Sequence, residues 1–151
     1  MLFLQPFNFS MIQRIQSVYL FLSAVALLCF GLFPLAELHN PQTQDYVSLG
    51  GPSALNTFIP ALVSSLISIS AIFLYRNRKA QMRLCLVLLV LSIVLSGGSA
   101  YGIVQQAGAL SAEVSWKFGL FFPLLAVAFL LLAWRGVRSD DQLIRSADRL
   151  R

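Results

Sequence analysis

The chain has 151 residues, 58% hydrophobic and only 11% charged, with a mean hydropathy of +0.77. A soluble domain is about a quarter charged, so a globular protein in water is excluded, and so is a disordered chain, which would be far less apolar. Eleven Lys plus Arg against six Asp plus Glu leave +5, a surplus to be weighed as a topology signal before it is taken for a nucleic-acid footprint.

A hydrocarbon core of about 30 Å needs roughly 20 mostly apolar residues in a helix. Four such runs predict transmembrane helices over residues 15–36, 58–75, 84–104 and 117–134, together a four-span domain at 15–134. The expected fold is an all-α, four-transmembrane-helix antiparallel bundle. The runs lack the alternation of barrel strands, which excludes a closed β-barrel.

Residues 1–14 form an N-terminal segment before the first span. Its first ten residues are uncharged, rich in Phe and Leu, and precede a second methionine, Met11, so they are expected to be a misassigned start. The first span is too long for a cleaved signal peptide, and a cut after Ala36 would put Pro34 where a small residue is wanted. Gly31 and Pro34 are expected to bend or unwind its last turn, and Glu37, His39, Asn40 and Pro41 to end it. In the long loop 37–57, Tyr46-Val47-Ser48-Leu49 reads as a brief extended segment and Gly50-Gly51-Pro52-Ser53 as a turn. No ligand site is identifiable there, and His39 reads as a solvated loop residue.

The second run carries a stripe of small residues, Ala61, Ser64, Ser65, Ser68 and Ala71, with Pro60 in its first turn. In the third, Ser92, Ser96 and Ala100 recur every four positions, and Gly98 and Gly102 form a Gly-x-x-x-Gly pair. Small faces let backbones approach closely, which matters in lipid, where the hydrophobic effect does not drive helices together. The two stripes are therefore expected to pack on each other, to serve a homodimer or another membrane protein, or to line a neutral substrate groove. In the fourth run Pro123 falls in the second turn, where a kink is expected.

The tail, 135–151, contains Ser139-Asp140-Asp141-Gln142, which fits a capping box with Ser139 as N-cap. Leu143, Ile144, Ala147 and Leu150 then recur at helical spacing beside Arg145, Arg149 and Arg151, so a separate short amphipathic helix is expected, resting on anionic lipid or docking a partner.

Orientation follows from the cationic residues. Arg14, the connection Arg76, Arg78, Lys79 and Arg83, and the tail Arg135, Arg138, Arg145, Arg149 and Arg151 place ten on one side, against Lys117 alone at the edge of the other. Because positive loops stay inside, both termini are expected in the cytoplasm of a multi-pass bacterial inner-membrane protein. That accounts for the basic surplus without a nucleic-acid partner.

The residues also exclude several chemistries. No ionisable group lies in the interior of a span, so ion-coupled transport lacks its usual embedded charge. Cys29 and Cys85 are single and far apart; Cys29 lies roughly 21 Å along its helix and Cys85 one residue inside its own, so neither a bridge nor a Cys-x-x-Cys redox pair forms. One histidine cannot build a bis-histidine haem or a multi-histidine metal site. No serine hydrolase elbow accompanies it. No catalytic, metal or cofactor site is expected.

From Met11 the chain reads Met-Ile-Gln-Arg-Ile-Gln-Ser-Val-Tyr-Leu, and it ends Asp-Asp-Gln-Leu-Ile-Arg-Ser-Ala-Asp-Arg-Leu-Arg. With four spans between them, these ends resemble the family catalogued as Domain of Unknown Function 4293, small membrane proteins of Bacteroidota, over residues 11–151. The resemblance implies a four-helix inner-membrane protein with no established activity. The expected role is a non-enzymatic scaffold or accessory subunit of a membrane complex, with a small transporter or lipid-handling protein with a neutral groove as the alternative.

Overall fold

In the computed structural model the described residues are 7–40, 45–74 and 77–149, with side chains described at 15–40, 45–74, 77–139 and 142. The first helix, α1, spans Phe7–Leu32. Proline disfavours helical backbone in the residue before it, and with Pro34 next but one the helix stops two residues short of it, its last turn closed by the Phe33 N–H donating to the Cys29 carbonyl at 2.9 Å. Residues 34–36, expected to complete the first span, instead open strand β1, Pro34–His39. Strand β2, Tyr46–Gly50, follows. The expected extended segment at 46–49 is thus a strand, and the turn after it holds Gly50 and Gly51 at φ of 103° and 74°. Gly50 is obligatory on a second count: a Cβ there would stand 2.6 Å from the Leu35 side chain and 2.8 Å from its backbone nitrogen.

Helix α2 covers Leu55–Phe73 and contains Pro60 inside it, beyond the first turn where it was expected. Helix α3, Arg78–Leu110, is capped by the Asn77 side chain, which accepts from the Ala80 N–H, and is stopped by Ser111 in the left-handed conformation. Strand β3, Glu113–Trp116, and a 3-10 turn, Phe118–Phe121, lead into α4, Phe122–Arg149. Pro123 therefore sits in the first turn of α4, where its missing N–H costs nothing, and the expected second-turn kink has no cause. Ser139 does not cap a separate tail helix; α4 runs through it without a break.

The bundle is not purely helical. The three strands form one antiparallel sheet in the order β2-β1-β3, with Glu37 opposite Ser48 on one side and Ser115 on the other. It ties the α1–α2 and α3–α4 connections together at one end of the bundle, the sheet end. The opposite, arginine end carries Arg78, Lys79, Arg83, Arg135 and Arg138. The helices pack as a ring, α1 on α2, α2 on α3, α3 on α4 and α4 on α1, with the α2–α3 seam the least extensive. One buried cluster lies under the sheet, around Phe30, Leu35, Leu38 and Ile103; another lies toward the arginine end, around Leu20, Cys85, Leu88 and Leu130.

All four helices are long and apolar enough to cross a membrane. Their outer faces, with Val63, Leu66, Phe73, Val87, Val90, Ile93, Leu124 and Leu131 exposed, make an apolar surface far larger than a soluble monomer tolerates. Exposed Tyr46, Trp116, Phe118 and Phe121 ring the sheet end. At the other end Trp134 lies under the Arg138 guanidinium, 5.2 Å from its ring centroid. Aromatic residues thus stand at both ends of the bundle, as they do at the two edges of a membrane.

Candidate functional site

The α1–α2 and α1–α4 seams are tightly packed, and the sheet end of the α2–α3 seam is not. Between α1 and α2, a Cβ placed at Gly31 would stand 3.0 Å from that of Ala61. Between α1 and α4, one at Gly136 would meet the Gln16 side chain at 2.9 Å. Gly98 and Gly102 of α3 have nothing within 4 Å of the same position. They line a groove of about 660 Å³ at the sheet end, between α3 and the start of α2. Leu35 and Leu49 of the sheet, Leu55 of α2, and Val94, Leu95 and Ile103 of α3 supply its apolar wall. Ser53, Asn56, Thr57, Ser99 and Gln106 supply its polar groups, and none of its lining residues is charged.

The groove exists because the small stripe of α2 turns toward α1. Ala61, Ser64, Ser65, Ser68 and Ala71 are all buried. The Ser68 and Ser23 hydroxyls stand 2.7 Å apart, and both reach the Leu20 carbonyl of α1, Ser68 at 3.0 Å and Ser23 at 2.8 Å. Ser64 donates to Pro60 within its own helix at 2.6 Å. The expected pairing of this stripe with the small residues of α3 is thus not the one built. On α3, Ser92 is buried and donates to Leu88 at 2.7 Å, while half-buried Ser96 donates to Ile93 at 3.1 Å. Of the six candidate packing residues, Ser68 lies in the α1–α2 seam, Ser64 and Ser92 are buried with their hydroxyls bonded within their own helices, Ser96 is half-buried, and Gly98 and Gly102 border the groove.

At the sheet end Lys117 Nζ pairs with Glu37 Oε2 at 2.8 Å, joining β1 to the segment after β3. His39 is not a solvated loop residue. It ends β1, stacks on Tyr46 with ring centroids 4.6 Å apart, and has a buried Nδ1 without a hydrogen-bond partner. Cys29 and Cys85 are both free. Among the described residues no group of three or more His, Cys, Asp or Glu could hold a metal ion. The tail side chains singled out in the sequence, Leu143, Ile144, Arg145, Arg149 and Leu150, lie outside the described residues.

The family described as Domain of unknown function (DUF4293) matches residues 12–150, nearly the whole chain. The chain belongs to that family. No curated protein and no solved structure matches this DUF4293 protein. Its activity therefore has to be argued from its own residues, and of the groove only the Gly98–Gly102 floor, not the walls, was legible in the sequence. Leu49, Ser53, Asn56 and Gln106 read as loop and helix-end residues, and only the Gly50-Gly51 turn hinted that the strand would fold back over the start of α2.

Proposed function

We propose that this DUF4293 protein is a non-enzymatic scaffold or accessory subunit of the bacterial inner membrane, with its arginine end in the cytoplasm. The observation that carries the accessory role is the asymmetry of cover. Within an 18-residue apolar stretch of each helix, 44% of the residues are buried in α1 but only 17% in α3. Toward its arginine end α3 presents a shallow hollow lined by Leu86, Val87, Val90 and Leu91. Helix association in lipid relies on such close side-chain packing. The cationic residues at the arginine end support the orientation.

A reporter active only outside the cytoplasm, fused after Gln44 or Gly108, should be active, and fused after Lys79 or Arg151 it should be silent. Purification in mild detergent should yield stoichiometric companions, and Val87→Trp with Val90→Trp should reduce them. Purification of the chain alone, or companions indifferent to both substitutions, would reject the accessory role. A second reading, a small transporter or lipid-handling protein, is favoured by the uncharged groove between α2 and α3.

A further inference from the structure

We propose that the groove between α2 and α3 holds one acyl chain of a phospholipid from the leaflet on the sheet side, and that this lipid has a headgroup without net charge. The proposal rests on the lipid-handling reading and names the occupant of its groove.

The groove cannot stay empty at low cost. At its deep end the walls, with Val94 and Leu95, are apolar; water there would lack the two to four polar partners it requires and a void would forfeit dispersion contacts. The protein does not fill it either, since no atom approaches the Cβ positions of Gly98 and Gly102. Along α3 the lining runs from Val94 to Gln106, about 18 Å at helical rise, comparable with one leaflet of a core about 30 Å thick. The groove is bounded by α3 on one side and by the sheet and the start of α2 on the other. A single hydrocarbon chain is slim enough to lie between them.

Polarity changes along the groove as it does along a lipid. Val94 and Leu95 lie at the deep end, while the exposed amides of Asn56 and Gln106 lie at the sheet end beside Ser53 and Thr57. The amides can donate to glycerol esters and a phosphate, whereas the Ser53 and Thr57 hydroxyls donate to the Gly50 and Ala54 carbonyls. Anionic headgroups are selected by clusters of Lys and Arg, and these stand at the opposite end of the bundle. The sheet-end cation Lys117 is held by Glu37.

The test uses the full chain, reconstituted in bilayers of equal phosphatidylethanolamine and phosphatidylglycerol, re-extracted in mild detergent and weighed by native mass spectrometry. One phosphatidylethanolamine per chain is expected, in preference to phosphatidylglycerol. Gly98→Leu and Gly102→Leu should lower its occupancy roughly tenfold by overfilling the floor. Gly97→Leu should not, because Gly97 is equally open but lies outside the lining. Asn56→Ala with Gln106→Ala should weaken retention without touching the floor, which keeps the test informative if a leucine variant misfolds.

Absence of retained lipid, equal loss with Gly97→Leu, equal retention of phosphatidylglycerol, or a lipid-free dimer that Gly98→Leu dissolves would each overturn the proposal. Lipid transfer between vesicles separates the two ideas. Transfer without a retained lipid rejects this occupant alone, whereas a retained lipid without transfer rejects the lipid-handling reading and leaves the occupant in place.

Discussion

One substitution made at two glycines measures the difference between a closed seam and an open face. In a helix interior Gly→Ala gains about 0.5–1 kcal/mol, because glycine loses more backbone freedom on folding. At Gly97, with nothing within 4 Å of the new Cβ, that gain should appear almost whole. At Gly31 the new methyl would stand 3.0 Å from Ala61 Cβ and 3.4 Å from a Phe58 ring carbon. Relief there requires α2 to move away from α1, across the same seam that the Ser23–Ser68 contact holds shut. Overpacking of this kind costs about 1–3 kcal/mol. Set against the propensity gain, Gly31→Ala should destabilise by up to about 2 kcal/mol, and the two variants should differ by roughly 1–3 kcal/mol. Equilibrium unfolding of each purified variant in mixed micelles, titrated with a denaturing detergent, measures the difference directly. If Gly31→Ala proves as stable as Gly97→Ala, the α1–α2 seam is not closed as described, and the contrast that defines the groove loses its basis.

Ser68→Ala should cost about 0.6 kcal/mol and no more than about 1.7 kcal/mol, the range for hydrogen bonds between membrane helices, with Ser23→Ala adding little to the double variant because both hydroxyls serve the Leu20 carbonyl; a double-mutant cycle in the same unfolding assay checks it. Glu37→Gln should change stability by less than about 1 kcal/mol, since the pair with Lys117 is more than a third exposed, and thermal melts should show this small difference shrinking further at high salt. Replacing Leu143, Ile144 and Leu150 by serine should release the tail to protease in inside-out vesicles. If the tail rests on lipid, Arg145→Gln with Arg149→Gln should release it in a way that depends on anionic lipid; equal accessibility before and after the serine changes would mean that the tail is unattached.

The amino-acid sequence alone determined the membrane class, the existence of four spans and the segregation of cationic residues to one end. Each depends only on composition over about 20 residues, and the bilayer imposes that requirement on every span separately. The turn at Gly50-Gly51 was legible for an equally local reason, because both positions demand positive φ. The tertiary structure decided the rest. Strand β1 pairs residues 34–39 with residues 113–116, far away in the chain, and its sequence Pro-Leu-Ala-Glu-Leu-His continues an apolar run without announcing a change from helix to strand. The direction faced by the α2 stripe was equally hidden. In water the polar face of a helix marks the outside, but a helix in lipid is apolar all round, so small residues announce a close approach without naming the neighbour. Packing chose α1 for that neighbour, through Ala61 against Gly31 and Ser68 against Leu20. That choice left Gly98 and Gly102 uncovered and opened the groove, which the α3 stripe alone does not distinguish from a packing face.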